Sequence, residues 1–293
     1  MRRVTVSADT QITDLAVNDH ACLTFGESEE LLDLTAAYVR DGLASGLKVL
    51  WLSDAAPDRS LAQLARRGVD VSPAQAAGQL AAVSCADYLL RDDAFTAGHA
   101  ATWLRDQMKD CHEDGYPGLR LAVDMSWALR PIAGVEQLPD FEGTVASLLA
   151  GGTVSMLCQY DRERFDPVTL ASVTALHDRS VAAATYYHDA VLRICRQYAP
   201  PGIRLAGEMD YHAEEPLSLA LAEALRLDGT ITINMAELSF IDAACMRLIL
   251  TAARSLPTPR SIVLECAPAI ASRFVLLGAT DVAGLSVRAV DDR

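Results

Sequence analysis

The feature that most constrains this chain is an alternation. Short apolar runs of strand length recur from Asn18 onward, and segments with helical spacing of apolar residues separate them. The runs are Asn18–Phe25, Lys48–Ser53, Leu80–Val83, Leu119–Asp124 and Val154–Tyr160. The helical stretches are Glu29–Ser45, with Leu31, Leu34, Tyr38 and Leu43 on one face, then Leu61–Arg67, Thr96–Glu113, Phe141–Ala150 and Pro167–Leu176. Parallel strands need a crossover of this length, usually a helix, so the alternation argues for a parallel sheet. Helices then cover both faces of the sheet, which fixes the class as α/β. Punctuation agrees: Ser28 stands as an N-cap before Glu29 and Glu30, and Gly46, Gly68, Gly115 and Gly151-Gly152 close helices. Weaker edge strands are expected at Arg3–Val6 and Ala184–Tyr187.

Pro200-Pro201-Gly202 restarts the chain in an extended conformation and is the strongest boundary signal. It predicts two domains, 1–198 and 199–293. The second reads as strand Ile203–Asp210, helix Glu215–Leu225, strand Thr230–Met235, a tight acidic turn, helix Ala243–Ser255, strand Ser261–Leu264 and helix Ala269–Leu277. That is the order of a small α/β sandwich. Asp242 is placed to cap the helix that follows the turn.

Composition removes several function classes. The chain has 293 residues, of which 51% are hydrophobic, and no apolar run reaches membrane-spanning length. The start, Met1-Arg2-Arg3-Val4-Thr5, lacks a secretory apolar core, so a cytoplasmic location is expected. Net charge is −14, shared as −10 over residues 1–199 and −4 over the rest. With no basic cluster, neither nucleic acid nor an anionic membrane is an expected partner. Seven scattered cysteines form no C-x-x-C or zinc-finger spacing and read as buried, reduced thiols.

The chemistry-bearing positions gather near predicted strand ends: His20, Cys22, Asp124, Trp127, Gln159, Tyr160 and Arg162. Open α/β sheets bind ligands beyond the carboxyl ends of their strands, so these residues predict a pocket for a small, partly apolar molecule. His20 and Cys22 share a strand face, but two ligands make no metal site, and Cys111-His112 falls on another element. No metal and no cofactor is expected. The loop Gly26-Glu27-Ser28-Glu29-Glu30 occupies the place of a phosphate-binding loop, yet it has one glycine, no lysine and three carboxylates. Asp124 closes a strand as a Walker-B aspartate would. A nucleotide-hydrolysing site is therefore not expected.

Two resemblances extend this reading. Asp19-His20-x-Cys22-x-x-Phe25, then Met125-Ser126-Trp127-Ala128-Leu129, then Cys158-Gln159-Tyr160-Asp161-Arg162-x-Arg164-Phe165 resemble the MEDS family, a sensory domain of regulators in methanogens and methylotrophs. The resemblance spans roughly residues 12–195 and implies a RecA-like parallel sheet flanked by helices, without a P-loop. Leu238-Ser239-Phe240-Ile241-Asp242-Ala243-Ala244-Cys245-Met246 resembles the phosphorylation loop of the STAS domain of anti-sigma-factor antagonists. That family reads roughly F-I-D-S-S-G-L there. Here both serine positions are alanine, so a phosphate has no hydroxyl to join. Together the resemblances imply a non-enzymatic signalling protein. Its first domain would sense a small molecule or redox state. Its second would bind an anti-sigma factor or related kinase-fold protein through Asp242, Ala243, Ala244, Cys245 and Met246, with homodimer formation left open. The alternative is an enzyme or biosynthetic accessory protein built around His20, Cys22 and Asp124.

Overall fold

The computed structural model describes residues 10–150 and 152–290. The expected strand at Arg3–Val6 and the helix stop at Gly151 lie outside them. The chain forms two compact units, residues 1–182 and 183–293.

In the first unit the order is β1 (His20–Phe25), α1 (Ser28–Ala44), β2 (Lys48–Ser53), α2 (Pro57–Arg66), α3 (Val71–Ala76), β3 (Leu80–Ser84), α4 (Cys85–Leu89), β4 (Leu90–Arg91), β5 (Ala94–Phe95), α5 (Ala97–Glu113), β6 (Leu119–Asp124), α6 (Leu138–Leu149), β7 (Val154–Asp161), α7 (Pro167–Thr174) and β8 (Arg179–Val181). Six strands form one parallel sheet in the order β3-β2-β6-β7-β1-β8. Helices α5, α6 and α7 pack in sequence against one another, and α1 packs with α2. The central strands are buried on both faces, as the unbroken burial of Val154–Tyr160 shows.

The structure differs from expectation in local ways here. Helix α1 starts at Ser28 itself with Glu27 as its N-cap residue, and no side chain caps it. Instead Glu30 reaches back to the Gly26 amide at 3.0 Å. The polar segment Arg91-Asp92-Asp93 is the tip of the β4–β5 hairpin. Asp92 and Asp93 both hold positive φ, the geometry of a mirror-image two-residue turn.

The second unit contains β9 (Thr185–His188), β10 (Leu192–Tyr198), β11 (Pro201–Met209), α8 (Glu214–Leu227), β12 (Thr230–Ile241), α9 (Ala243–Arg254), β13 (Ser261–Cys266), α10 (Pro268–Leu276) and β14 (Leu285–Ala289). Its sheet runs β14-β13-β12-β11-β10-β9. Strands β9, β10 and β11 are antiparallel neighbours, and β11 through β14 are parallel. Leu217, Leu221, Ile249 and Phe274 from the three helices join Ile194, Ile203, Ile231 and Leu264 from the strands in one core.

The division at residues 182/183 corrects the boundary expected at 198/199. Pro200 lies in a two-residue hairpin connection, because Tyr198 pairs directly with Pro201. A proline pair breaks helices, but it also makes tight turns, and here the strands on both sides belong to one sheet. The acidic turn is likewise shorter than expected: β12 continues through Ile241, and register shifts against β11 absorb the extra residues.

Candidate functional site

Four potential metal-ligating side chains converge on the α6–α7 side of the first sheet. Strands β1 and β7 pair with His20 opposite Met156 and Cys22 opposite Cys158. Alternation along each strand puts His20, Cys22, Cys158 and Tyr160 on one face. Glu142 stands on α6 among the buried Leu138, Phe141, Val145 and Leu149. His177 follows α7, and the next amide, Asp178 N–H, donates to the His20 carbonyl at 2.9 Å, tying that turn to β1.

The ligating atoms of His20, Glu142, Cys158 and His177 all lie within 4.8 Å of one another. Glu142 Oε2 is 3.0 Å from His20 Nε2 and 3.5 Å from His177 Nε2. Cys158 Sγ is 3.7 Å from the same oxygen and 3.6 Å from His20 Nε2. Tyr160 donates its hydroxyl to Glu142 Oε1 at 2.5 Å. His177 Nδ1 sits 2.7 Å from the Val173 carbonyl, which can only accept, so the ring carries a proton there. The two imidazole rings lie 4.0 Å apart, tilted by 36°. The side chains of His20, Glu142 and His177 have no solvent exposure.

Electrostatics in this interior are uneven. Burial pushes the Glu142 carboxyl up. The charge interaction with His177 and the hydrogen bond from His20 act against it, and the net effect holds the group below its ordinary 4.5. Burial lowers His177 from its ordinary 6.5, opposed by Glu142. Burial, then the Glu142 charge, raises the Cys158 thiol and the Tyr160 phenol well above their usual values. Burial likewise pushes Cys22 up to about 12. All seven cysteines are buried and free, as the sequence implies.

The predicted pocket set does not assemble. His20, Cys22 and Tyr160 belong to the cluster just described, but they are fully buried and His20 opens β1 rather than closing it. Gln159 faces the opposite side of the sheet and donates to Thr35 of α1 at 2.8 Å. Asp124 ends β6, two strands from β1, and accepts from the Ser126 amide at 2.9 Å. Trp127 packs in the core with its ring 4.7 Å from Phe95. Arg162 pairs with Glu30 at 3.2 Å and fills the space beside Gly26, where a Cβ would stand 2.4 Å from its guanidinium. Glu30 therefore occupies the Gly26 N–H, and Arg162 lies across it. This is the loop where a phosphate cradle would be sought.

Sequence reasoning missed Glu142, Cys158 and His177 as site residues. One signal was present: a glutamate on the apolar face of α6. An ionisable group there asks for a partner. A cleft of about 490 Å³ lies beside the cluster, lined by Leu129, Leu138, Arg164, Phe165, Val168 and Val173. Phe165 packs edge-on against Tyr160 at 5.2 Å, and Val173 holds His177, so the cleft shares two residues with the cluster's surroundings.

In the second unit Asp242 caps α9, accepting from the Cys245 amide at 2.8 Å, as the sequence predicts. Asp242, Ala243 and Met246 line a groove of about 420 Å³ with Phe240, Arg273 and Leu276. Phe240 is 41% and Leu276 85% exposed, so this rim is apolar and open to solvent. Ala244 is half-buried. Cys245 turns inward, with its thiol 3.1 Å from the Asp210 carbonyl, and takes no part in the groove surface.

Among solved structures, a KaiC-like protein of the hyperthermophilic archaeon Pyrococcus horikoshii is similar at 12% identity and a TM-score of 0.46, over 62% of this chain and 80% of that one. The flagellar accessory protein FlaH of Methanocaldococcus jannaschii is similar at 10% identity and a TM-score of 0.45, over 64% and 83%. Neither likeness is close enough to carry a function across. The model of the methanogen/methylotroph, DcmR sensory domain (MEDS) matches residues 19–178, more than half of the chain. Among the described residues no helix is long and apolar enough to cross a membrane.

Proposed function

Because the chain belongs to the MEDS family of sensory domains, we propose that it is a non-enzymatic signalling protein whose first unit senses a small molecule. The second unit passes that state to a protein partner. The observation that carries the reading is the closed loop after β1. Glu30 accepts the Gly26 N–H and pairs with Arg162, so the protein's own charges fill the place of a phosphate. What is left for a ligand is the cleft beside Phe165, apolar over most of its lining with Arg164, Glu136 and Asp166 as its charged members. The strand order, with β1 between β7 and β8, supports a RecA-like ancestry from which nucleotide chemistry has been lost.

For the second unit, a STAS-like module of the anti-sigma-factor-antagonist kind is favoured by its sheet order and by the D-A-A turn at the start of α9. The groove between Phe240, Met246 and Leu276 offers the apolar surface a partner needs. Without a hydroxyl at Ala243 or Ala244, release cannot follow phosphorylation at those positions, and binding is either gated by the first unit or constitutive.

Native mass spectrometry of the full chain purified from its own host, set against its denatured mass, tests the sensing half. A non-covalent mass difference that Val168→Trp removes by filling the cleft is the expected result. An unchanged mass after incubation with host extract, together with turnover of ATP by the purified chain, would overturn it. For the second half, Ala244→Asp is expected to weaken binding of an anti-sigma factor at least 10-fold by placing a carboxylate where a phosphate would repel the partner. Equal affinity of both proteins removes this turn from the contact.

A further inference from the structure

We infer that His20, Glu142, Cys158 and His177 form a closed, four-ligand site for one divalent transition-metal ion, with Zn²⁺ the best fit. The inference goes beyond the sensory reading and does not depend on it.

Four observations carry it. The first is spacing. Tetrahedral zinc with nitrogen, oxygen and sulfur ligands places its donors about 3.3–3.6 Å apart, from bond lengths of about 2.0–2.3 Å. Four of the six donor separations are 3.0 and 3.5 Å from Glu142 Oε2 to the two histidines, 3.6 Å from Cys158 to His20 and 3.7 Å from Cys158 to Glu142, and all six lie within 4.8 Å, so the side chains need to draw in by about an ångström at most to close on one ion.

The second is the histidine tautomer. His177 Nδ1–H donates to the Val173 carbonyl, so its Nε2 lone pair points toward a carboxylate oxygen 3.5 Å away. That nitrogen is buried and has no hydrogen-bond partner among the described residues. Two acceptors facing each other in a dry interior repel unless a cation lies between them. A backbone carbonyl on the far nitrogen is also the usual outer contact of a metal-bound histidine.

The third is the outer contact of the carboxylate. Tyr160 bonds Glu142 Oε1 and leaves Oε2 as the oxygen aimed at both histidines and the thiol. The fourth is charge. A dication with one carboxylate and one thiolate is neutral overall, which a fully buried site requires. As the ion binds, Cys158 loses its thiol proton to solvent, one proton for each ion bound. His20 ligates through Nε2, so the proton it shares with Glu142 in the metal-free site moves to Nδ1, a buried nitrogen without a hydrogen-bond partner among the described residues. The mixed nitrogen, sulfur and single-oxygen set favours zinc over magnesium or calcium, and four protein ligands leave no open position, the pattern of a structural or sensing site.

The test uses the full-length wild-type chain, folded by circular dichroism, in two measurements. Elemental analysis after purification without chelator is expected to give about one Zn²⁺ per chain, the occupancy of a single closed site. Titration of metal-depleted chain with Co²⁺ is expected to give tetrahedral visible bands and a near-ultraviolet thiolate charge-transfer band. Cys158→Ser should abolish the charge-transfer band, and Tyr160→Phe should weaken Zn²⁺ affinity about 10-fold through loss of an outer-shell contact. Absence of metal together with no Co²⁺ spectrum in the folded wild-type chain overturns the inference without any variant. So does a spectrum indifferent to Cys158→Ser. A small-molecule mass difference in wild-type chain that purifies without metal and gives no Co²⁺ spectrum would leave the sensory reading intact while removing the metal.

Discussion

At the scale of single residues, the structure stores local strain in one hairpin and closeness in one strand. Asp92 and Asp93 sit at φ of 52° and 56°, where a side chain costs energy that glycine avoids. Asp93→Gly is expected to stabilise the first unit by about 0.5 kcal/mol, read as a higher urea midpoint for that transition. Gly207 is the opposite case. At φ of 100° its Cβ would lie 2.0 Å from the Val191 carbonyl oxygen, so Gly207→Ala must open the β10–β11 pair. Lower thermal stability of the second unit is the expected result, and an unchanged melting temperature would show that the strands can separate at no cost. The sequence made the capping role of Asp242 legible because capping is local: one carboxylate and one amide three residues on. It could not disclose that Arg162 fills the loop at Gly26, because Arg162 lies far along the chain and only the β1–β7 pairing brings them together.

Elements are where the candidate site was half visible. Each strand and helix that carries it follows from apolar spacing, and His20 with Cys22 on one face follows from the period of a strand. Which strand lies beside which is a property of the sheet. Once β7 is next to β1, Cys158 and Tyr160 must stand near His20, and α6 above them delivers Glu142. Helix α7 forms a wall of the cleft, and its first turn hangs on Asp166, whose carboxylate accepts from the Val168 and Thr169 amides at 3.0 Å. Hydrogen bonds from Thr169, side chain first and then backbone, hold that carboxyl below its ordinary 3.8. A group with a depressed folded value lends its support above pH 3.8 and loses it as pH falls through the folded value, so the cap is complete at neutral pH. Asp166→Ala should therefore speed amide exchange at Val168 and Thr169 at pH 7. The same exchange rates in both proteins would mean that α7 is held by its packing alone. Its N-cap would then be dispensable for the cleft.

For the whole molecule, the decisive difference between sequence and structure is where one unit ends. A proline pair followed by glycine reads as a linker, and local chemistry alone cannot separate a linker from a hairpin turn. The arbiter is long-range pairing: Leu192–Tyr198 runs antiparallel to Pro201–Gly207, and Thr185–His188 adds a strand beyond it. A fragment of residues 199–293 would lose β9 and β10, and with them the fully or nearly buried Ile194, Cys195 and Leu192. Removing Leu192 and Ile194 alone forfeits roughly 3–6 kcal/mol of apolar burial at 1.5–3 kcal/mol each, which is comparable to the whole stability of a small domain. It also bares the edge of β11, a hydrogen-bonding template for aggregation. A fragment of residues 183–293 keeps the six-stranded sheet and its core. The longer fragment is expected to be soluble, with a cooperative urea transition, and the shorter one to aggregate or remain unfolded. If 199–293 instead folds with the same midpoint as 183–293, then β9 and β10 contribute nothing to the second unit and the boundary belongs at Pro200 after all.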